Sequence, residues 1–268
     1  MGIEFTAHNI RLDTGVHTKP DMGYSMEAYP WLVSARRILD TVFPKNRNHV
    51  RLADLGCLEG GYAVEFARMG FHVVGLEVRE ANIAACNYVK ANTNLPNLAF
   101  IRDDARNIAK YGVFDVVFCC GLLYHLDTPK EFLNTLSTVT TRLLILQTHF
   151  STDTKDIADP SDKYSLSQLT DNETLLGRWY TEFPDDEAYT NRELAKWASW
   201  DNRRSFWIQR EYLLQAIHDV GFDLVMEQYD SLGPSIVESM LRGYYKTESR
   251  GTFIGIKTRK AAGNSAMG

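Results

Sequence analysis

Val50-Arg51-Leu52-Ala53-Asp54-Leu55-Gly56-Cys57-Leu58-Glu59-Gly60-Gly61-Tyr62-Ala63-Val64 is the stretch on which the fold turns. Its first six residues are a short, mostly apolar run that stops at Gly56, as a buried strand does. Glycines at 56, 60 and 61 make a tight turn. Apolar residues then recur at Ala63, Val64 and Ala67 until Gly70 closes a helix. Strand, glycine turn and helix together are the first half of a βαβ unit.

The same rhythm continues downstream. Strands are predicted at 71–76, 98–102, 114–119 and 143–147, with helices at 79–92 and 129–140, the last opened by Pro129. A helix at 29–42, stopped by Pro44, precedes them. The strands are continuous apolar runs, which points to helices covering both faces of a parallel sheet. Beyond 205 the pattern predicts a helix at 208–220, a strand at 222–226, a loop or short helix at 231–245, and a last strand at 252–257. Two closing strands with no helical crossover between them imply an antiparallel hairpin at the sheet edge. The expected fold is a doubly wound, Rossmann-like α/β sheet of seven mostly parallel strands, with an antiparallel terminal strand and an inserted lid.

That insertion is 151–205. Residues 1–47 read as an N-terminal helical cap, and 48–150 with 206–260 as the core; the tail from 261 reads as frayed. Segment 151–210 holds 12 acidic and 8 basic residues, and so most of the chain's net charge of −5. Four of the five tryptophans (Trp179, Trp197, Trp200, Trp207) lie there too, with no strand rhythm between them. It leaves the carboxyl end of the fifth strand, the face where such sheets bind ligands.

The bulk properties narrow the function. A net charge of −5 and a pI near 5.8 weigh against a nucleic-acid partner. The longest apolar run, 116–124, is about half of the roughly 20 residues a membrane span needs. The N-terminus lacks signal-peptide architecture, and Cys57, Cys86, Cys119 and Cys120 form no CxxC pair. Reduced core thiols in a cytoplasmic protein are the expectation, and the sequence leaves a homodimer open.

Three acids end three successive strands. Asp54 stands before a turn that does not match GxGxxG and would repel a diphosphate, while welcoming an ammonium or amine. Glu77 can accept from two vicinal ribose hydroxyls, at roughly 1.5–3 kcal/mol per charge-assisted bond, or can open a helix beside Arg79. Asp104, after Asp103, can accept from an adenine amino group or can cap the next helix.

As a set, DLGCLEGG (54–61), GLE (75–77), RDDA (102–105) and FDVVFCCGLLYHL (114–126) resemble the class I S-adenosylmethionine-dependent methyltransferases. The resemblance covers about 48–148 and the closing strands. It implies S-adenosyl-L-methionine as cofactor, with Asp54, Gly56, Cys57 and Gly60 around the methionine part and Glu77 and Val78 at the ribose. Asp104 and Ala105 would meet the adenine, and Gly121 and Leu122 would form the floor. The family commonly has Gly where this chain has Leu58, which predicts a loop that curves differently or a cofactor held slightly farther away.

His125 and His149 follow the fourth and fifth strands and are the candidate general bases for a hydroxyl or amine acceptor. A metal site from His125, Asp127, His149 and Asp153 fits no recognised ligand spacing. Arg178, Trp200, Arg203 and Trp207 are the candidate acceptor contacts in the lid. Asn9–Thr18 reads as a β-turn element able to fold over the cofactor mouth with Tyr24 and Tyr29. The expected activity is methyl transfer to oxygen or nitrogen of a small-molecule acceptor. The alternatives are modification of a tRNA wobble uridine, since GLLYHL is similar to the carboxymethyl-transferring enzymes, and a non-catalytic cofactor-binding subunit.

Overall fold

The computed structural model describes residues 3–152, 164–183, 192–244 and 248–258; the expected frayed tail lies outside them. The sheet has seven strands in the order β3-β2-β1-β4-β5-β10-β9. They are β1 (Arg51–Leu55), β2 (His72–Glu77), β3 (Leu98–Arg102), β4 (Phe114–Cys120), β5 (Thr140–His149), β9 (Leu224–Gln228) and β10 (Arg250–Ile256). β1 to β5 run parallel, and β10 is antiparallel to both β5 and β9, so the closing hairpin forms as expected. Helices α1 (Pro30–Val42), α2 (Gly61–Arg68), α3 (Glu80–Ala91), α4 (Pro129–Val139) and α5 (Arg210–Asp219) flank the sheet, and a short α6 (Ile236–Leu241) follows β9.

Burial explains the continuous apolar runs. Alternate residues of each strand feed opposite cores: Leu52, Val116, Phe118 and Ile145 pack with α1 and α2. Leu55, Val117, Leu144 and Phe253 pack with α4 and α5. Adjacent Cys119 and Cys120 split between those two sides, and all four cysteines are free thiols. Among the described residues no helix is long and apolar enough to cross a membrane.

The insertion departs from expectation. Instead of lacking strands, it supplies β6 (Thr170–Asn172) and β7 (Leu175–Thr181), which with β8 (Arg204–Ile208) form a separate three-stranded antiparallel sheet. The β6–β7 turn is Glu173-Thr174, both at positive φ, 51° and 67°. A two-residue hairpin turn of that shape usually advertises itself with Asn-Gly, and this one does not. Glu173 has a local reason to be there: its carboxylate accepts from the Lys130 and Glu131 N–H groups at the start of α4. β8 occupies residues expected to lie in the lid or to open the following helix. Phe206 and Ile208 join the main core, and the Phe206 N–H donates to the Leu126 carbonyl.

Candidate active site

A cavity of about 300 Å³ opens at the carboxyl ends of β1, β2, β3 and β4. Asp54, Glu77, Asp103 and Asp104 all line it, with Gly56, Cys57, Leu58, Val78, Ala105, Gly121 and Leu122 between them. The three strand-end acids are thus brought together.

Their environments differ. Asp54 is buried and its Oδ2 has no hydrogen-bond partner; burial pushes its pKa up to about 8, against the pull of an Ala63 N–H. Glu77 is also buried. Its carboxylate accepts from the N–H groups of Leu58 at 3.0 Å, Val78 at 2.9 Å and Arg79 at 2.8 Å, and burial still raises its pKa. Asp104 accepts from the Arg106 N–H and pairs with its guanidinium, capping the short 3-10 helix Ala105–Tyr111 while lining the cavity. Asp103 accepts from the Tyr111 hydroxyl at 2.6 Å, which holds its pKa below the ordinary value.

Leu58 answers the question raised by its position. It takes φ 52°, the left-handed region that glycine enters freely, and its N–H reaches Glu77. Gly60 is the one expected cofactor contact away from the cavity wall. A Cβ there would fall 2.6 Å from the Phe100 ring, so the glycine serves packing under the turn.

The N-terminal segment closes one end of the cavity. Glu59 accepts from the N–H groups of Thr6, Ala7 and His8, and these bonds outweigh burial to hold its pKa low. His8 Nδ1 accepts from the Gly61 N–H, and burial lowers the His8 pKa to about 4, so the imidazole is neutral at pH 7. Tyr24 and Tyr29 stack at 5.6 Å and line the opening.

Part of the insertion is held by Arg79, which the sequence offers only as a helix-opening partner of Glu77. Arg79 donates from Nε to the Arg192 carbonyl and from Nη2 to the Ala195 and Ala198 carbonyls at 2.8 and 2.7 Å. Its guanidinium also lies 5.5 Å from the Trp200 ring centre. Residues 196–201 thereby form the roof, and Trp200 lines the cavity. Arg178, Arg203 and Trp207 do not line it. Arg178 donates to the Ser167 carbonyl, the Arg203 carbonyl accepts from the Glu182 N–H, and Trp207 is buried with its indole N–H on the Tyr124 carbonyl. Asp153 lies outside the described residues.

Of the two histidines, His125 lines the cavity. Its Nδ1 lies 2.8 Å from Glu182 Oε1, and that carboxylate, 1% exposed, also accepts from Ser205 Oγ and the Ser199 N–H. His149 sits behind Tyr124, its ring stacked on Trp207 at 4.7 Å and its Nδ1 3.1 Å from the Ser249 carbonyl. Glu182 belongs to a stretch with no motif, so only the fold brings it to His125.

Comparison with known proteins bears on the family and the fold. A family profile described as a methyltransferase domain matches residues 32–227. The Bacillus subtilis (strain 168) protein YqeM is 33% identical over 91 residues, 33% of this chain and 36% of that protein, so the match spans about a third of that relative's length. The N-terminal domain of EvdMO1 with SAH bound superposes with a TM-score of 0.62 at 21% identity, over 84% of this chain and 80% of that one. A Burkholderia thailandensis 1,6-didemethyltoxoflavin-N1-methyltransferase, bound to 1,6-didemethyltoxoflavin and S-adenosylhomocysteine, gives 0.50 at 13% identity over 87% and 80%. At such identities the structural likeness is one of fold.

Proposed function

The chain belongs to the methyltransferase-domain family, and we propose that it transfers the methyl group of S-adenosylmethionine to an oxygen or nitrogen of a small-molecule acceptor. The observation that carries the reading is Asp54, a buried carboxyl with an unsatisfied oxygen at the end of β1, lining one cavity with Glu77. A buried polar atom without a partner is costly, and a ligand ammonium would relieve it.

The residues present fit this cofactor. Asp54 would hold the cationic methionine end, losing its proton to do so. Glu77 would take the ribose hydroxyls at the acceptor site that its three N–H bonds leave on Oε2, and Asp103, Asp104 and Ala105 would border the adenine. When bound, S-adenosylmethionine supplies an electrophilic methyl for in-line displacement. The protein's share is to position the acceptor, exclude water and take its proton. Glu182 engages Nδ1 of His125 and so leaves Nε2 as the nitrogen able to accept that proton. The roof of residues 196–201 and the N-terminal segment keep water out.

Titration calorimetry with S-adenosylhomocysteine tests the reading. One-to-one binding by the wild type, lost in Asp54→Ala and Glu77→Ala, is expected. No binding, or variants that bind like the wild type, would overturn it.

A further inference from the structure

The cavity has a cationic wall that the donor-side acids do not use. Arg250 enters it from the first residue of β10. Its Nη2 donates to Gln147 Oε1 at 2.8 Å, its Nε has no hydrogen-bond partner, and no carboxylate pairs with it among the described residues. Several arginines of the fold are matched with acids, Arg210 with Glu227, Arg106 with Asp104 and Asp201, Arg36 and Arg68 with Glu65, and others such as Arg79 and Arg51 donate to backbone carbonyls. Arg250 instead lies between aromatic rings, 4.6 Å from the centre of Trp31 and 5.7 Å from that of Tyr124.

Gly121 keeps the adjoining space open. A side-chain carbon at that position would meet Arg250 Nη2 at 3.5 Å and the Tyr124 hydroxyl at 3.8 Å, so the two donors converge on one point of the wall. Burial pushes the Tyr124 pKa up to about 12, although Arg250 opposes the rise, and the hydroxyl keeps its proton at neutral pH. Tyr124 also touches His125, with ring centres 4.2 Å apart, so this cation stands close to the candidate base. A guanidinium and a phenol aimed at one spot, among flat apolar walls, match a carboxylate on a planar body.

We propose that Arg250, together with the Tyr124 hydroxyl, anchors a carboxylate of the methyl acceptor, which makes the substrates small, planar organic acids. The assignment rests on the methyl-transfer reading above. It also moves the anionic contact from the lid arginines Arg178 and Arg203 to the closing strand. The same chemistry could serve the donor's own carboxylate, and the experiment separates the two.

Wild-type protein is first titrated with S-adenosylhomocysteine, which tests the methyl-transfer reading by itself. The protein, in excess S-adenosylhomocysteine, is then titrated with 4-hydroxybenzoate and with 4-hydroxybenzyl alcohol, a matched acid and neutral probe. The acid should bind at least tenfold more tightly than the alcohol. Arg250→Gln should erase that preference and leave S-adenosylhomocysteine affinity within about twofold, while Arg250→Lys, which keeps the charge and guards against misfolding, should retain part of it. An acid bound no more tightly than the alcohol, absence of binding included, would overturn the proposal. So would an Arg250→Gln variant that loses tenfold in S-adenosylhomocysteine affinity, for the anion would then be the donor's.

Discussion

On the β1–β3 side of the cavity, each acidic side chain stands at or beside the end of a strand. Asp54 is within β1, Glu77 ends β2, and Asp103 and Asp104 follow β3. The rest of the enclosure comes from elsewhere: His125 from a 3-10 turn with Glu182 behind it, Arg250 from the last strand, and the roof from residues 196–201. The first wall is a product of local sequence and one sheet. The second is assembled from pieces up to 125 residues apart in the chain, His125 to Arg250. A binding site for an invariant cofactor can be built the first way, whereas the second way lets the acceptor side vary without touching the sheet.

Substitutions can break this division. The largest effect is expected from His125→Ala, which should lower kcat for methyl transfer by roughly 10²–10⁴-fold. S-adenosylhomocysteine affinity should stay near wild type; a parallel loss of both would place His125 on the donor wall. Glu182→Gln should cost about ten- to a hundredfold in kcat by releasing the imidazole, with the same separation. Glu77→Ala is the mirror experiment. It should weaken S-adenosylhomocysteine by about a hundredfold and lower Tm, since three backbone N–H groups lose their acceptor.

Arg79 ties the two walls together, so Arg79→Ala should speed S-adenosylhomocysteine release by about tenfold, read by stopped-flow. An unchanged rate would mean the roof stays shut without it. The pH dependence is expected to be smaller. A carboxyl whose folded pKa lies above its unfolded value favours the protonated fold, so the contribution of Asp54 to the stability of the ligand-free protein is fully present below about pH 4. That contribution is lost as pH climbs towards about 8. A cationic ligand reverses the preference, so binding should release a proton near pH 7 and tighten between about pH 6 and 8; calorimetry in buffers of different ionisation enthalpy reads it directly. Asp54→Asn should abolish the release. The smallest effect belongs to Leu58→Gly: relief of a left-handed leucine, worth roughly 1–2 kcal/mol, is offset by the entropy of a glycine, leaving Tm within a few degrees.

The same division explains what could be read before the structure was known. β3 was legible to the residue, and β1, β2 and β4 to within a residue at each end, because their apolar runs end at glycines or acids. The three acids needed no more than their positions at strand ends. The β6–β7 hairpin escaped because Glu173-Thr174 carries no turn signature. Glu182, Arg250 and the hold of Arg79 on the roof escaped because the partners are carbonyls, rings and a histidine far away in sequence. Trp207 misled in the opposite sense: an aromatic in an acidic stretch looked like a ligand contact, and burial made it the core of the small sheet.

The most direct test of the two-wall account is the position of S-adenosylhomocysteine in a crystal structure of the complex. The account predicts ribose hydroxyls within hydrogen-bond distance of the Glu77 carboxylate, and the sulfur facing the space bounded by Tyr124, His125 and Arg250. A ligand with its ribose away from Glu77, or with its sulfur turned from that space, would contradict it.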